Sequence, residues 1–367
     1  MSEIEYDATP LEQYFDGLGF KRETIEGRKV IKSFGPVDAE INSLFQGVAL
    51  RDISGSGILE LSGKDVLDYL NRISTNDLKE TPEGAIAHTI FTNEKGRIID
   101  TSLLMNFGDY QLLIGSSEHN YKVMKWIEKY VITDDVKISK AGNKYVLLEL
   151  LGPQADSFVT LICGNVVNEV GIDRFRSIRA EGIIFFLIKM KDKTGHLKYW
   201  ILADQNNGIE LIKLMLNNKD VFDFNLVGEN AYNYYRIVQG IPAAPNEVND
   251  EFNPHEAGLL KYVSFTKGCY IGQEVISRLN SYDKVQRNLR GLTFEESFEP
   301  NGRLHLYDNE GLDAGTVTSV VYSPRCKKYV GLAYVRKPYT DKGTKLTAKN
   351  GNDKKLNVTV ENLPLRK

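Results

Sequence analysis

Cys269 lies within Lys267-Gly268-Cys269-Tyr270-Ile271-Gly272-Gln273-Glu274, the stretch whose residue types and spacing most readily do chemistry. Glycines at this spacing mark a turn that needs positive φ, or a backbone that another group approaches closely. A thiol between them is presented on a turn, and Lys267 favours its thiolate, the form that acts as nucleophile or metal ligand. The competing reading is a small buried cysteine beside a structural turn. A cationic run follows at Arg278, Lys284, Arg287 and Arg290. It suits an anionic tail or an RNA phosphate, or simply a solvated face. Metal chemistry has little to work with, because no C-x-x-C or H-E-x-x-H spacing occurs and the five histidines are scattered. Gly55-Ser56-Gly57 has Glu60 where a nucleotide loop would need its third glycine, so it carries no signal.

These residues need a scaffold, and 367 residues with 42% hydrophobic and 26% charged side chains are enough for two or three domains. Residues from about 9 to 45 read as an arm and a helix. Gly57 to Leu61 alternates as a strand, and Ser62 to Asp65 reads as a capping box for a helix with Val66, Leu67, Leu70 and Ile73 on its apolar stripe. Two strands, Ile86 to Phe91 and Arg97 to Met105, flank the turn Asn93 to Gly96. Tyr110 to Ile114 is a further strand, and Val123, Ile127 and Tyr130 mark a second helix. A new αβ unit begins near 141, with strands at 145–151, 183–188 and 197–203 and helices at 155–162 and 208–216. A helix over 228–239 is stopped by Gly240 and Pro242. Past Arg290, short strands between glycine turns predict a β-barrel or sandwich.

Net charge is -3, so no global basic field points to nucleic acid. No aromatic residues alternate with Lys284, Arg287 and Arg290 to make a stacking platform, and RNA is not an expected partner. The acidic start, Met1 to Asp7, lacks a signal peptide's apolar core. The most apolar run, Ile183 to Ile188, is too short to span a bilayer. Three widely spaced cysteines, Cys163, Cys269 and Cys326, suit a reducing compartment. The expected location is the cytoplasm, with no membrane partner.

The octet at 267–274 resembles the signature of the YgfZ family of folate-binding proteins, a branch of the superfamily of the glycine-cleavage T-protein, an aminomethyltransferase. Ala49 to Ser54, Ser74 to Leu78, Asn93 to Asp100, Leu151 to Ala155, Arg236 to Pro242 and Gly315 to Ser319 are similar to superfamily text as well. The resemblance implies an α+β, three-domain cloverleaf around a central folate-binding hole. Its domains are 1–140, an αβ domain with the arm; 141–285, a second αβ domain that ends in the signature; and 286–367, a β-barrel. It also implies tetrahydrofolate, or a one-carbon-loaded folate, as the cofactor.

Residue roles follow from the same resemblance. T-proteins end the loop after the first hairpin turn in two aspartates, the second catalytic, and this chain has Asp100-Thr101 there. T-proteins hold the pterin edge with the glutamate of Gly-Glu-Asp-Gly, where this chain has Gln205-Asn206-Asn207-Gly208. Arg236 matches an arginine near the folate. The expected site is therefore Cys269 and Asp100 as catalytic groups, with Arg236, Asn93, Asp100, Thr101 and Asn206 around the folate and no metal. Lys267, Gly268, Tyr270, Gly272, Gln273 and Glu274 frame the signature turn. The function implied is a folate-binding accessory role in iron–sulfur protein maturation, and indirectly tRNA thiolation, with iron–sulfur client or assembly proteins as partners. The first alternative is an aminomethyltransferase that acts on a lipoyl carrier, and the second is an RNA-binding module.

Overall fold

The computed structural model describes residues 9–25, 28–117, 119–282, 284–300, 302–349 and 355–365. The chain opens with helix α1 (Pro10–Gly17), a hairpin of β1 (Arg22–Ile25) and β2 (Arg28–Ile31), helix α2 (Val37–Gln46) and strand β3 (Val48–Asp52). The next unit comprises β4 (Gly57–Ser62), α3 (Val66–Ile73), β5 (Ile86–Thr92), β6 (Ile98–Asn106), β7 (Tyr110–Gly115), α4 (His119–Tyr130) and β8 (Lys137–Lys140). It is followed by β9 (Tyr145–Leu151), α5 (Ala155–Cys163), β10 (Arg174–Ala180), β11 (Ile183–Lys191), β12 (Leu197–Asp204), α6 (Gly208–Asn217) and β13 (Phe224–Leu226). Helix α7 (Glu229–Gln239) leads into an irregular linker, then α8 (Gln273–Ser281). The last strands are β14 (Arg287–Phe294), β15 (Leu304–Tyr307), β16 (Asp313–Ser323), β17 (Lys328–Arg336), β18 (Lys345–Lys349) and β19 (Lys355–Glu361).

Side-chain alternation builds the layers. On β6, Leu103 and Met105 face one way and Leu104 the other. Leu104 meets Tyr69 and Leu70 of α3 and Val123 and Ile127 of α4, which cover the outer face of the sheet β5-β6-β7-β4-β8. The inner face, with Leu103 and Met105, packs on Leu147, Ile188 and Leu202 of a second sheet, β10-β11-β12-β9-β3-β13. Helices α1, α5 and α6 cover the far side of that sheet through Leu11, Phe158 and Leu211. The two sheets thus lie face to face between helical layers. The apolar run in β11 is a strand between β10 and β12, as expected from its length. The C-terminal strands close into a six-stranded barrel, β14-β17-β16-β15-β18-β19, and with it the α+β architecture expected from the sequence.

Two local expectations change. Ser62 ends β4, where it pairs with Tyr110 and Lys137; α3 starts at Asp65 without a side-chain cap, and Asp65 instead accepts from the N–H of Asp135. The capping box of this chain is Thr9 with Glu12, which opens α1. The N-terminal segment, expected with the first αβ unit, is shared out differently. Strand β3 runs between β9 and β13 in the second sheet, because its outward Val48 and Leu50 complete the core under α5 and α6.

Candidate functional site

Between the inner face of the second sheet, α7 and the first sheet lies a cluster of partly buried polar side chains, called the recess below. Cross-strand register sets its floor. Trp200 on β12 lies opposite Glu149 on β9, which lies opposite Arg51 on β3. Arg51 Nη1 donates to Glu149 Oε2 at 2.6 Å, while Lys198 Nζ and Trp200 Nε1 donate to Oε1 at 3.2 and 3.0 Å. Side-chain exposures of 12% for Arg51 and 20% for Lys198 show that water reaches this part of the inner face, while Leu147, Ile188 and Leu202 nearby in the same sheet are fully buried. Burial alone would raise the Glu149 carboxyl, but Lys198 and Arg51 beside it outweigh that and hold it at about 2. Tyr232 of α7 stacks on the Arg51 guanidinium, 3.1 Å from ring centroid to carbon.

The first sheet and the linker supply the facing wall. His88 on β5 stacks on Tyr262 with ring centroids 4.6 Å apart, and Lys261 Nζ lies 4.7 Å over the Tyr262 ring. Desolvation, helped by the fields of Lys198 and Lys261, pushes His88 down to about 3, so its imidazole is neutral at physiological pH. A neutral ring against a phenol, above a floor of fixed charges, can hold a flat heteroaromatic group that carries acidic substituents.

Thr101 belongs to this inner face, beside Leu103 and opposite Ile90, whereas Asp100 does not. The register of β5 on β6 shifts between Phe91 and Thr92, so that Asp100 pairs with Phe91, Ile98 pairs with Thr92, and Ile99 is the extra residue of a bulge. Past the bulge Asp100 points under α4, where it is 1% exposed. Its Oδ2 accepts from Ser116 Oγ at 2.8 Å and Ser116 N at 3.2 Å, and lies 2.9 Å from His119 Nδ1; its Oδ1 accepts from Thr101 N. This carboxylate locks β6 to β7 and α4. It is not the catalytic group of the recess expected from the sequence but a buried structural carboxylate.

Three other expected folate contacts are occupied elsewhere. Arg236 is 5% exposed and donates to Glu247 Oε2 at 2.9 Å and to Ser319 Oγ at 2.8 Å, tying α7 to the linker and the barrel. Asn93 Oδ1 accepts from the N–H groups of Lys95 and Arg97 and closes the hairpin turn. Asn206 is exposed, bonded to Asp204 beyond the end of β12.

The signature octet is mostly joinery. Lys267 Nζ donates to the carbonyls of Asn71, Ser74 and Asn76 at 2.5, 2.7 and 2.6 Å, so three N–H groups satisfy three carbonyls at and just past the end of α3. That ammonium is not available to activate Cys269. Tyr270 is buried in the core shared by the linker and the barrel, its ring 5.0 Å from Lys267 Nζ. Gly272 has φ +85°, and a Cβ there would lie 2.6 Å from Asn93 O, so it meets both demands expected of a glycine in this turn. It caps α8, on which Glu274 pairs with Arg278 at the surface. Gln273 N donates to Tyr270 O across the same turn. Gly268 and Cys269 are exposed on the surface of the turn.

The cationic run is also engaged. Arg287 donates to Glu256 and the Glu251 carbonyl, and Arg290 to the Thr340 and Leu289 carbonyls. Arg287, Arg97 and Arg336 line an outer cavity of about 250 Å³ with Glu256 and Asp313, each guanidinium already paired to one of those carboxylates. The recess, with partly exposed donors and stacked rings, is the better candidate for a ligand site. Arg51, Glu149, Lys198, Trp200, Tyr232, His88, Lys261 and Tyr262 were all missed from the sequence. A Glu149 inside the apolar run of β9 was the one available signal.

Two family models cover most of the chain. One described as GCVT N-terminal domain matches residues 13–267, and one described as Glycine cleavage T-protein C-terminal barrel domain matches 287–367. A chloroplastic protein of Arabidopsis thaliana with a provisional transferase name is 26% identical over 349 residues, 94% of this chain and 78% of its own length. An Aminomethyltransferase of Caldanaerobacter subterraneus is 24% identical over 360 residues, 98% of this chain and 93% of its own. The crystal structure of glycine cleavage system aminomethyltransferase T from Bartonella henselae superposes with a TM-score of 0.83 over 97% of both chains at 21% identity, a likeness of fold.

Proposed function

We propose that this chain, which belongs to the glycine cleavage T-protein family, binds a reduced folate in the recess between its sheets and passes an aminomethyl group to it. The observation that carries this reading is the recess itself, with the stacked His88 and Tyr262 above Arg51 and Lys198. These residues suit the group: the rings would hold a pteridine, and the cations would hold acidic substituents. A bound tetrahydrofolate would supply the secondary amine that accepts the one-carbon unit. The reaction class is supported by the names of relatives such as the Caldanaerobacter aminomethyltransferase. Thr101, on the inner face where T-proteins have their catalytic aspartate, steadies developing positive charge less than a carboxylate does. The expected turnover is therefore slow.

The test is a transfer assay with an aminomethyl-loaded lipoyl carrier, run with and without tetrahydrofolate. Folate-dependent release of ammonia, slow but saturable in folate, is the expected result. Release that does not depend on folate would sink the reading.

A second reading, an accessory folate-binding role in iron–sulfur protein maturation, is favoured by one observation, the exposed thiol of Cys269. Burial pushes the Cys163 thiol up to about 12, so iodoacetamide is expected to modify Cys269 well before Cys163. Cys269→Ser is expected to leave melting temperature and folate binding unchanged, because the side chain is exposed. Loss of function in cells with that folded variant would favour the accessory role. Full rescue would leave transfer as the only activity to explain.

A further inference from the structure

We infer that Thr75 is a positioning residue of the recess: with Ser74 and Asn76 it forms a strap, pinned by Lys267, that ties β5 to the linker and so sets how His88 meets Tyr262. The role presupposes the reading above, that the recess binds a folate. It adds the residues that hold the ring-bearing wall in place.

The wall joins two elements far apart in the chain. His88 belongs to β5 and Tyr262 to the linker, and their rings stack 4.6 Å apart with 26° between their planes. Residues 74–76, just past α3, bond to both elements. On the β5 side, Thr75 N donates to Ile90 O at 3.0 Å, and Ile90 N donates to Thr75 Oγ1 at 3.1 Å. Asn76 N donates to Thr89 Oγ1 at 3.0 Å, and Asn76 Nδ2 donates to the carbonyl of His88 itself at 2.7 Å. On the linker side, Thr75 Oγ1 donates to the carbonyl of Tyr262 itself at 2.7 Å, and Ser264 N donates to Thr75 O at 3.0 Å. One fully buried hydroxyl thus accepts from the strand that carries one ring and donates to the residue that carries the other.

Lys267 closes the strap. Its ammonium donates to Ser74 O at 2.7 Å and Asn76 O at 2.6 Å, the carbonyls on either side of Thr75, and to Asn71 O at 2.5 Å. A short irregular segment with so many fixed backbone groups has few conformations left, so the Thr75 hydroxyl is aimed before a ligand arrives. Such placement matters for a stacked wall, because a ring displaced by an ångström gives up much of its contact with a flat ligand. A helix end tidied by side chains accounts for Lys267 and for Ser74, whose Oγ donates to Leu70 O at 2.8 Å. It does not account for direct bonds to the backbones of both ring-bearing residues.

Calorimetric titration of the full chain with 5-formyltetrahydrofolate, well below the melting temperature of each variant, tests the role. Thr75→Val, which keeps the shape and removes the hydroxyl, is expected to weaken binding on the order of tenfold. Thr75→Ser, which keeps the hydroxyl, is expected to bind as the unaltered chain does. Asn76→Ala, at a half-buried position, removes the bond to the His88 carbonyl and is expected to weaken binding too; it carries the test where Thr75→Val does not fold. A spectroscopic signature separates positioning from stability. The His88 ring-proton resonance, assigned by its loss in His88→Gln, is expected to show the ring-current shift of Tyr262 in the unaltered chain. It should move toward the ordinary imidazole position in Thr75→Val and Asn76→Ala, but not in Glu247→Gln, whose bonds are to Arg236 and Ser319 and not to the strap. Unchanged affinity in a folded Thr75→Val or Asn76→Ala, or lost affinity with the His88 resonance in place, would leave the strap structural and overturn the role while the folate reading stands. No saturable binding by the unaltered chain would overturn the role and the folate reading together.

Discussion

Glu247→Ala is expected to lower the free energy of unfolding by about 3–5 kcal/mol, the usual cost of stranding one member of a buried ion pair. Glu247 is fully buried and holds three groups. Its Oε2 accepts from Arg236 Nη1 at 2.9 Å and from Ala243 N at 3.1 Å, and its Oε1 accepts from Ser319 Oγ at 2.7 Å. Its own carbonyl accepts from the Tyr334 hydroxyl at 2.7 Å. Without the carboxylate, the Arg236 guanidinium stays in a site 5% exposed with only a neutral hydroxyl for company. Glu247→Gln keeps volume and one acceptor, so its loss should be smaller. Urea unfolding of the two variants measures both values. A third variant, Arg236→Met, settles what Arg236 is for. Were it a folate ligand, Arg236→Met would abolish binding in a chain as stable as the original. The buried network instead predicts a large stability loss, with binding intact in whatever remains folded. A stability loss below about 1 kcal/mol for Glu247→Ala would contradict this account.

Thr101→Asp is expected to raise the rate of aminomethyl transfer on the order of a hundredfold, the scale at which one well-placed electrostatic group acts. The position lies on the inner face of β6, opposite Ile90 and two residues from Leu103, which pairs with His88 of the recess. Asp100→Asn is the matched control. Its side chain accepts from Ser116 and Thr101 and contacts His119 beneath α4, so this change should cost stability and leave any transfer rate per folded molecule unaltered. The assay is single-turnover ammonia release with saturating tetrahydrofolate. A Thr101→Asp variant that binds folate and gains no rate would argue against aminomethyl transfer and for the accessory role.

Much of the fold was legible because its elements carry local signals. The period of two in β5 to β7, the 3.6-residue stripe of α3 and the αL glycine after α7 each reflect one element burying one face. The barrel showed through its short strands and glycine turns for the same reason. The octet was legible as a unit, but its roles were not. Lys267 looked like a partner for Cys269 two residues away, while in space it belongs to the end of a helix some 190 residues earlier in the chain, where three carbonyls outcompete a thiol.

The recess lay beyond the reach of sequence because it is made by register between distant strands. Arg51, Glu149 and Lys198 come from three strands whose alignment depends on how β3 enters the second sheet. No spacing along the chain encodes that. The facing of Asp100 and Thr101 turns on a single bulged residue, Ile99, and one residue of slip exchanges the faces of everything beyond it. Local pattern specifies which residues form a strand or helix, since that energy is local. Which polar side chain meets which is a matter of long-range packing, and there the burial of apolar faces sets the geometry and the charged groups must fit what it leaves.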